Sequence, residues 1–157
     1  EGRVGRLEEA PGEQEAKAGR PFVGAAGRVL NDLLESVGLR REDVYITNIL
    51  KDRPPNNRDP RPDEVRLYAP FLQQQIEIIR PSVIVTLGRF SMDLILTLFD
   101  MPEQGQKIGA LHGRVLEANN ERGHLAVIPL YHPAVAFYRQ DQRETLWQDF
   151  QALKPFI

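Results

Sequence analysis

The sequence predicts an α/β fold: a three-layer α/β/α sandwich around a short, mainly parallel central sheet. Three observations predict it. Apolar residues alternate along the chain between the helical period of about 3.6 and short continuous runs. The run "SVIVTLG", Ser82 to Gly88, is apolar at successive positions, as a strand covered by helices on both faces must be. Strand and helix patterns also follow one another through short connections, which imposes right-handed crossovers and parallel pairing.

The first strand is "RVGRL", Arg3 to Leu7, and it is the weakest element because Gly5 and Arg6 interrupt its apolar run. That weakness leaves open a truncated N-terminal region. A stripe of Val29, Leu30, Leu33, Leu34 and Val37 marks a helix that stops at Gly38, a residue suited to a left-handed cap. "VYITNIL", Val44 to Leu50, is β-branched and short, as a buried strand should be. Pro62 opens a helix to about Arg80, with Leu72, Ile76 and Ile79 inward and a kink expected at Pro70. After the strand at Ser82 to Gly88, a helix runs from Phe90 to Phe99. The remainder reads as a strand at Val115 to Glu117, a turn at Asn119 and Asn120, a strand at Leu125 to Pro129 and a last helix from Arg143 to Leu153.

At 157 residues the chain is expected to form one domain over residues 1–157, burying roughly two-thirds of the surface its unfolded form exposes. Hydrophobic residues make up 41% and charged residues 27%, the balance of a globular chain, and no apolar run reaches the roughly 18 residues that span a bilayer. No membrane partner is expected. No cationic, apolar leader opens the sequence, so a cytoplasmic location is expected. There is no cysteine, which rules out disulfides, thiolate metal sites and iron–sulfur clusters within these residues. The three histidines lack the spacing of a zinc site, so no metal is expected.

Lys and Arg number 20 against 22 Asp and Glu, a net charge of −2. Taken whole, that balance argues against a polyanionic partner. Local clustering runs the other way: Lys51, Arg53, Arg58, Arg61 and Arg66 form one basic group, and Arg139 and Arg143 a second. Charge by itself fits a solvated face as well as a nucleic-acid surface.

In open α/β sheets, ligands bind beyond the carboxyl ends of the strands. Four segments converge there, bringing Glu9, Asn48, Arg89 and His132 to one edge. Each has a plainer reading. Asn48 suits a turn that satisfies backbone groups, His132 before Pro133 suits a packed or capping histidine, and Arg89 suits a cap of the helix it opens. His112 in "LHGR" and His124 in "RGHLA" are read as structural. Phe22, between Pro21 and Gly24, either staples its loop to the core or offers its face to a flat ligand such as a nucleobase.

Five blocks, "EEAPGEQE", "GRPFVGAAG", "VYITNILKDRPPNNRDPRP", "QIEIIRPSVIVTLGRF" and "PLYHPAVAFYRQDQRETLWQDF", together resemble the family 4 uracil-DNA glycosylases. The likeness covers nearly the whole chain from about Glu8 and keeps the family's order. It implies the fold of the uracil-DNA glycosylases and excision of uracil from DNA by cleavage of the N-glycosidic bond, in base excision repair, by a monomer without a catalytic metal.

By that resemblance Phe22 stacks on the extruded base, Asn48 reads its polar edge and His132 donates to a uracil oxygen. Glu9 and Glu15 are the carboxylates of the site, and the turn carrying Ala10 and Gly12 adds backbone contacts to the base. Lys51, Arg53, Arg58 and Arg89, with Pro133 and Arg139 of the "HPAVAFYR" loop, are expected to grip DNA. Two alternatives stay open: a glycosylase for another deaminated base, and a catalytically weak DNA- or base-binding module on the same fold.

The chain departs from the family in two respects. Family members carry four cysteines that bind an iron–sulfur cluster. Here Asp52 stands at the third position, Tyr68 near the fourth, and the first pair is absent. A cluster-free branch is expected, with apolar packing by Tyr68, Pro70 and Phe71 in the cluster's place. Glu8 stands where the motif has glycine.

Overall fold

The computed structural model describes residues 4–8, 24–48, 62–120, 123–137 and 139–157. Strand β1 (Val4–Glu8) is followed by helix α1 (Ala25–Ser36), β2 (Val44–Asn48), helix α2 (Pro62–Ile79), β3 (Val83–Leu87) and helix α3 (Arg89–Leu98). A single turn of helix, α4 (Ile108–Leu111), leads to the hairpin strands β4 (Leu116–Asn120) and β5 (Gly123–Leu130). A 3-10 segment (Pro133–Phe137), helix α5 (Gln140–Phe150) and a second 3-10 segment (Gln151–Phe156) close the chain.

The sheet has the order β2-β1-β3-β5-β4. The first four of these strands are parallel, and β4 alone runs antiparallel to β5. The mainly parallel α/β architecture expected from the sequence is therefore present.

Residue parity divides the core into two layers. Val83, Val85 and Leu87 of β3, with Ala126, Ile128 and Leu130 of β5, pack on α1 and α5. Ile84 of β3, with Leu125 and Val127 of β5, packs on α2, α3 and α4. All five residues of β3 are buried, because successive side chains of a central strand point into opposite helical layers. The continuous apolar run of the sequence is that arrangement written in one dimension.

Helix α1 ends as its sequence requires. Gly38 takes φ +82; its N–H donates to Glu35 O at 3.0 Å, and Leu39 N–H reaches back to Leu34 O at 2.9 Å. These are the paired bonds of a Schellman cap, and Leu39 and Leu34 share the same core cluster beneath it.

Several sequence boundaries shift. Strand β1 extends one residue further, so Glu8 pairs with Asn48 inside the sheet. Asn119 and Asn120 are not a turn: they pair with His124 and Gly123 as the last residues of β4, and ladder pairing there overrides the turn preference of asparagine. Helix α5 begins at Gln140 and gives way to a 3-10 segment after Phe150. Pro70 lies inside α2 and is exposed, and Phe71 beside it keeps 55% of its surface exposed. The side chain of Tyr68, the third residue expected to pack there, lies outside the described residues.

Candidate active site

The chain passes from β1 to β2 on one side and then crosses to β3 on the other. The direction of winding therefore reverses between β1 and β3, and the crevice beyond their carboxyl ends is where an open sheet of this kind receives a ligand. Register sets the floor of that crevice. Glu8 lies beside Asn48, Leu7 beside Thr86, and Leu87 beside Leu130, so four parallel strands end at one level. From β2 to β5 is three inter-strand steps, roughly 14 Å at about 4.8 Å each, a width suited to one flat heterocycle and its flanking groups.

Beyond β5 the chain is held by backbone bonds. Gly88 N–H donates to Leu130 O at 2.9 Å and so ties the exits of β3 and β5 together. Gly88 has φ +93 and is buried, a conformation that suits a residue without Cβ. His132 follows two residues later, half-buried. Its Nδ1 accepts a hydrogen bond from Ala134 N–H at 3.1 Å, and its carbonyl accepts from Val135 N–H at 3.0 Å. With Nδ1 used as an acceptor, the neutral ring carries its hydrogen on Nε2, which is a donor.

Pro133 is buried as the first residue of its 3-10 segment. Arg139 is the N-cap of α5, exposed, with Nη2 at 3.2 Å from Oδ2 of Asp141. Arg143 of the same basic group lies over the Trp147 ring at 5.0 Å. Arg89 opens α3 at the carboxyl end of β3, its guanidinium 4.8 Å from the Phe90 ring centre. One turn on, burial raises the carboxyl pKa of Asp93, and Arg89 offsets part of that rise.

Of the residues singled out from sequence, Asn48, Arg89, His132 and Pro133 thus fall at or just beyond the strand ends, and Arg139 caps the helix after them. Glu9, Ala10, Gly12, Glu15, Phe22, Lys51, Arg53 and Arg58 lie outside the described residues, as does the side chain of Asn48. Sequence reading missed what His112 does. Its Nδ1 is 2.6 Å from Oδ2 of Asp149, and its ring centre is 4.7 Å from that of Tyr131, the neighbour of His132. Asp149 is 37 residues away; the only local signal was a histidine followed by glycine.

The sequence profile of the "Uracil DNA glycosylase superfamily" matches residues 6–152. The chain belongs to the uracil DNA glycosylase superfamily. Within that superfamily it is similar to a type-4 uracil-DNA glycosylase of Archaeoglobus fulgidus, 50% identical over 145 residues, 92% of this chain and 72% of the relative. Type-4 uracil-DNA glycosylases of Sulfurisphaera tokodaii and Saccharolobus solfataricus are 45% and 46% identical over 147 residues, 93% of this chain, which covers 66% and 67% of their lengths.

An iron–sulfur cluster does not fit this superfamily member's residues. Cluster irons are held by cysteine thiolates, and the sequence has none. Among the described residues no group of three histidine, aspartate or glutamate side chains converges on a metal position, and no helix among them is long and apolar enough to cross a membrane.

Proposed function

We propose that this protein excises uracil from DNA, hydrolysing the N-glycosidic bond to leave an abasic site, as a cluster-free relative of the type-4 uracil-DNA glycosylases. It acts as a cytoplasmic monomer in base excision repair. The observation that carries this reading is the hydrogen bond that Nδ1 of His132 accepts from Ala134 N–H, which in the neutral ring puts the hydrogen on Nε2, a donor, just beyond the carboxyl end of a central parallel strand.

The chemistry asks for such a group. Breaking the glycosidic bond leaves cationic character on the sugar and negative charge on the departing base. A donor placed where that negative charge develops typically contributes on the order of 10²–10³-fold in rate. His132 is assigned that role, with Asn48 on the polar edge of the base and Phe22 as its stacking platform. Glu9 and Glu15 supply negative charge beside the sugar and orient or deprotonate the attacking water, a contribution of about 10²–10⁴-fold for general base catalysis. Water adds its oxygen to the sugar carbon, the bond to the base nitrogen breaks, and the base leaves with the electron pair.

Extruding the nucleotide costs a few kcal/mol, which stacking of about 1–3 kcal/mol per base and phosphate contacts offset. Lys51, Arg53, Arg58, Arg89 and Arg139, with the Pro133 turn, are assigned to those contacts. Local basic groups reconcile a net charge of −2 with a polyanionic substrate.

The test is incubation with labelled single- and double-stranded oligonucleotides carrying one uracil, in the presence of chelator, followed by alkaline cleavage at abasic sites. Strand cleavage dependent on uracil is the expected result. No product at enzyme excess overturns the assignment.

A further inference from the structure

We infer that His112 and Asp149 are positioning residues for His132, acting through Tyr131; the inference rests on the assignment of uracil excision. Three elements meet at this point. His112 ends α4, Asp149 lies in the last turn of α5, and Tyr131 is the first residue past β5. A carboxylate only accepts, so the neutral His112 ring must place its hydrogen on Nδ1 and donate across the 2.6 Å to Asp149. That bond has an angular preference an aliphatic contact lacks, and it fixes the plane of the ring that lies 4.7 Å from Tyr131 at an interplanar angle of 33°.

The surrounding backbone is built for the same contact. Gly113 has φ +77, and a Cβ on it would overlap the Asp149 carboxylate. Its N–H donates to Pro129 O at 2.8 Å, so the segment that carries His112 is bonded to the strand that delivers Tyr131. The pair is largely shielded, with His112 and Asp149 side chains 26% and 14% exposed. The ring of His112 lies against that of Tyr131, the residue preceding His132. Second-layer hydrogen bonds of this kind hold a reactive ring in register, and a small misplacement is enough to slow chemistry by about 10²-fold.

Two measurements test the inference on the full chain. Histidine ring ¹⁵N NMR reads the His132 tautomer without any substrate. In the parent protein its signals should be those of an Nε2–H ring; in His112→Ala and Asp149→Ala they should shift or split. On a uracil-containing oligonucleotide, kcat should fall by about tenfold with KM held within about twofold. Asp149→Asn, which keeps an acceptor, should restore most of kcat. His112→Phe keeps an aromatic ring beside Tyr131 without the bond to Asp149, and should behave as His112→Ala even if the alanine variants fold poorly. In a His132→Ala background the His112 substitutions should cost nothing further. Unchanged His132 signals, unchanged kcat, or an equal loss in the His132→Ala background each overturn the inference. A parent protein that releases no uracil overturns the assigned activity instead, and the NMR comparison still decides the coupling.

Discussion

The backbone N–H of Ala134 donates to Nδ1 of His132 across 3.1 Å, so a side chain two residues back from its partner is locked into one tautomer by its own loop. In the neutral ring the arrangement puts the hydrogen on Nε2, which is a donor. Replacing His132 with alanine should lower the single-turnover rate of uracil release by roughly 10²–10³-fold. The melting temperature should move little, because the ring is half-buried and outside the core clusters. A variant with near-parental rate would show that another group stabilises the departing base.

Gly113 offers a test of packing. Its φ of +77 disfavours any residue with a Cβ, and that Cβ would meet the Asp149 carboxylate. Gly113→Ala should destabilise by about 1–2 kcal/mol from backbone conformation alone, with the steric conflict added. Adding Asp149→Ala should cost less than the two single substitutions summed, because it removes the clash along with the His112 bond. A double variant whose loss equals the sum of the two singles would show that the dihedral alone matters.

The fold was legible wherever burial on two faces left its mark. β3 is apolar throughout because both helical layers press on it, and Gly38 announces the end of α1 because few other residues accept φ +82. Helix α5 was harder to bound: only Leu146 and Phe150 are buried along it, so its polar first turn carries no stripe. Asn119 and Asn120 carry a turn signature that pairing with β5 overrides. The position of His132 just past a strand end followed from the end of an apolar run. Its coupling to His112 did not, since it depends on Asp149 folding back across 37 residues.

Arg139 is exposed, and its ion pair with Asp141 at 3.2 Å is of a kind worth about 0–1 kcal/mol. Arg139→Ala should therefore change stability by less than about 0.5 kcal/mol. If it contacts a phosphate, DNA affinity should weaken and the slope of log K against log salt should fall by about 0.9. Binding titrations over a salt series, in a His132→Ala background that slows turnover, measure both. An unchanged slope would remove Arg139 from the DNA face.

Asp93 gives a pH dependence. Burial holds its carboxyl above the ordinary 3.8, with Arg89 pulling the other way. A carboxyl whose folded value is raised binds its proton more tightly in the folded state, so its contribution to stability is present at low pH and lost as pH rises through the folded value. Asp93→Asn should then melt higher than the parent at neutral pH. The gap should close as pH falls below the carboxylate range. A gap that widens towards acid would reverse the assigned sign.

Glu8 separates charge from backbone. As the last residue of β1, paired with Asn48, it sits in extended conformation that any residue adopts, so glycine is not demanded by the chain path there. Glu8→Gly should lower stability by about 0.5–1 kcal/mol, the cost of glycine within a strand. Glu8→Gln removes only the negative charge; if DNA approaches this end of the strands, KM should fall while kcat stays within about twofold, the signature of changed uniform binding. A rise in kcat of about tenfold in both variants, equivalent to about 1.4 kcal/mol of barrier, would mean instead that the carboxylate opposes the chemical step itself.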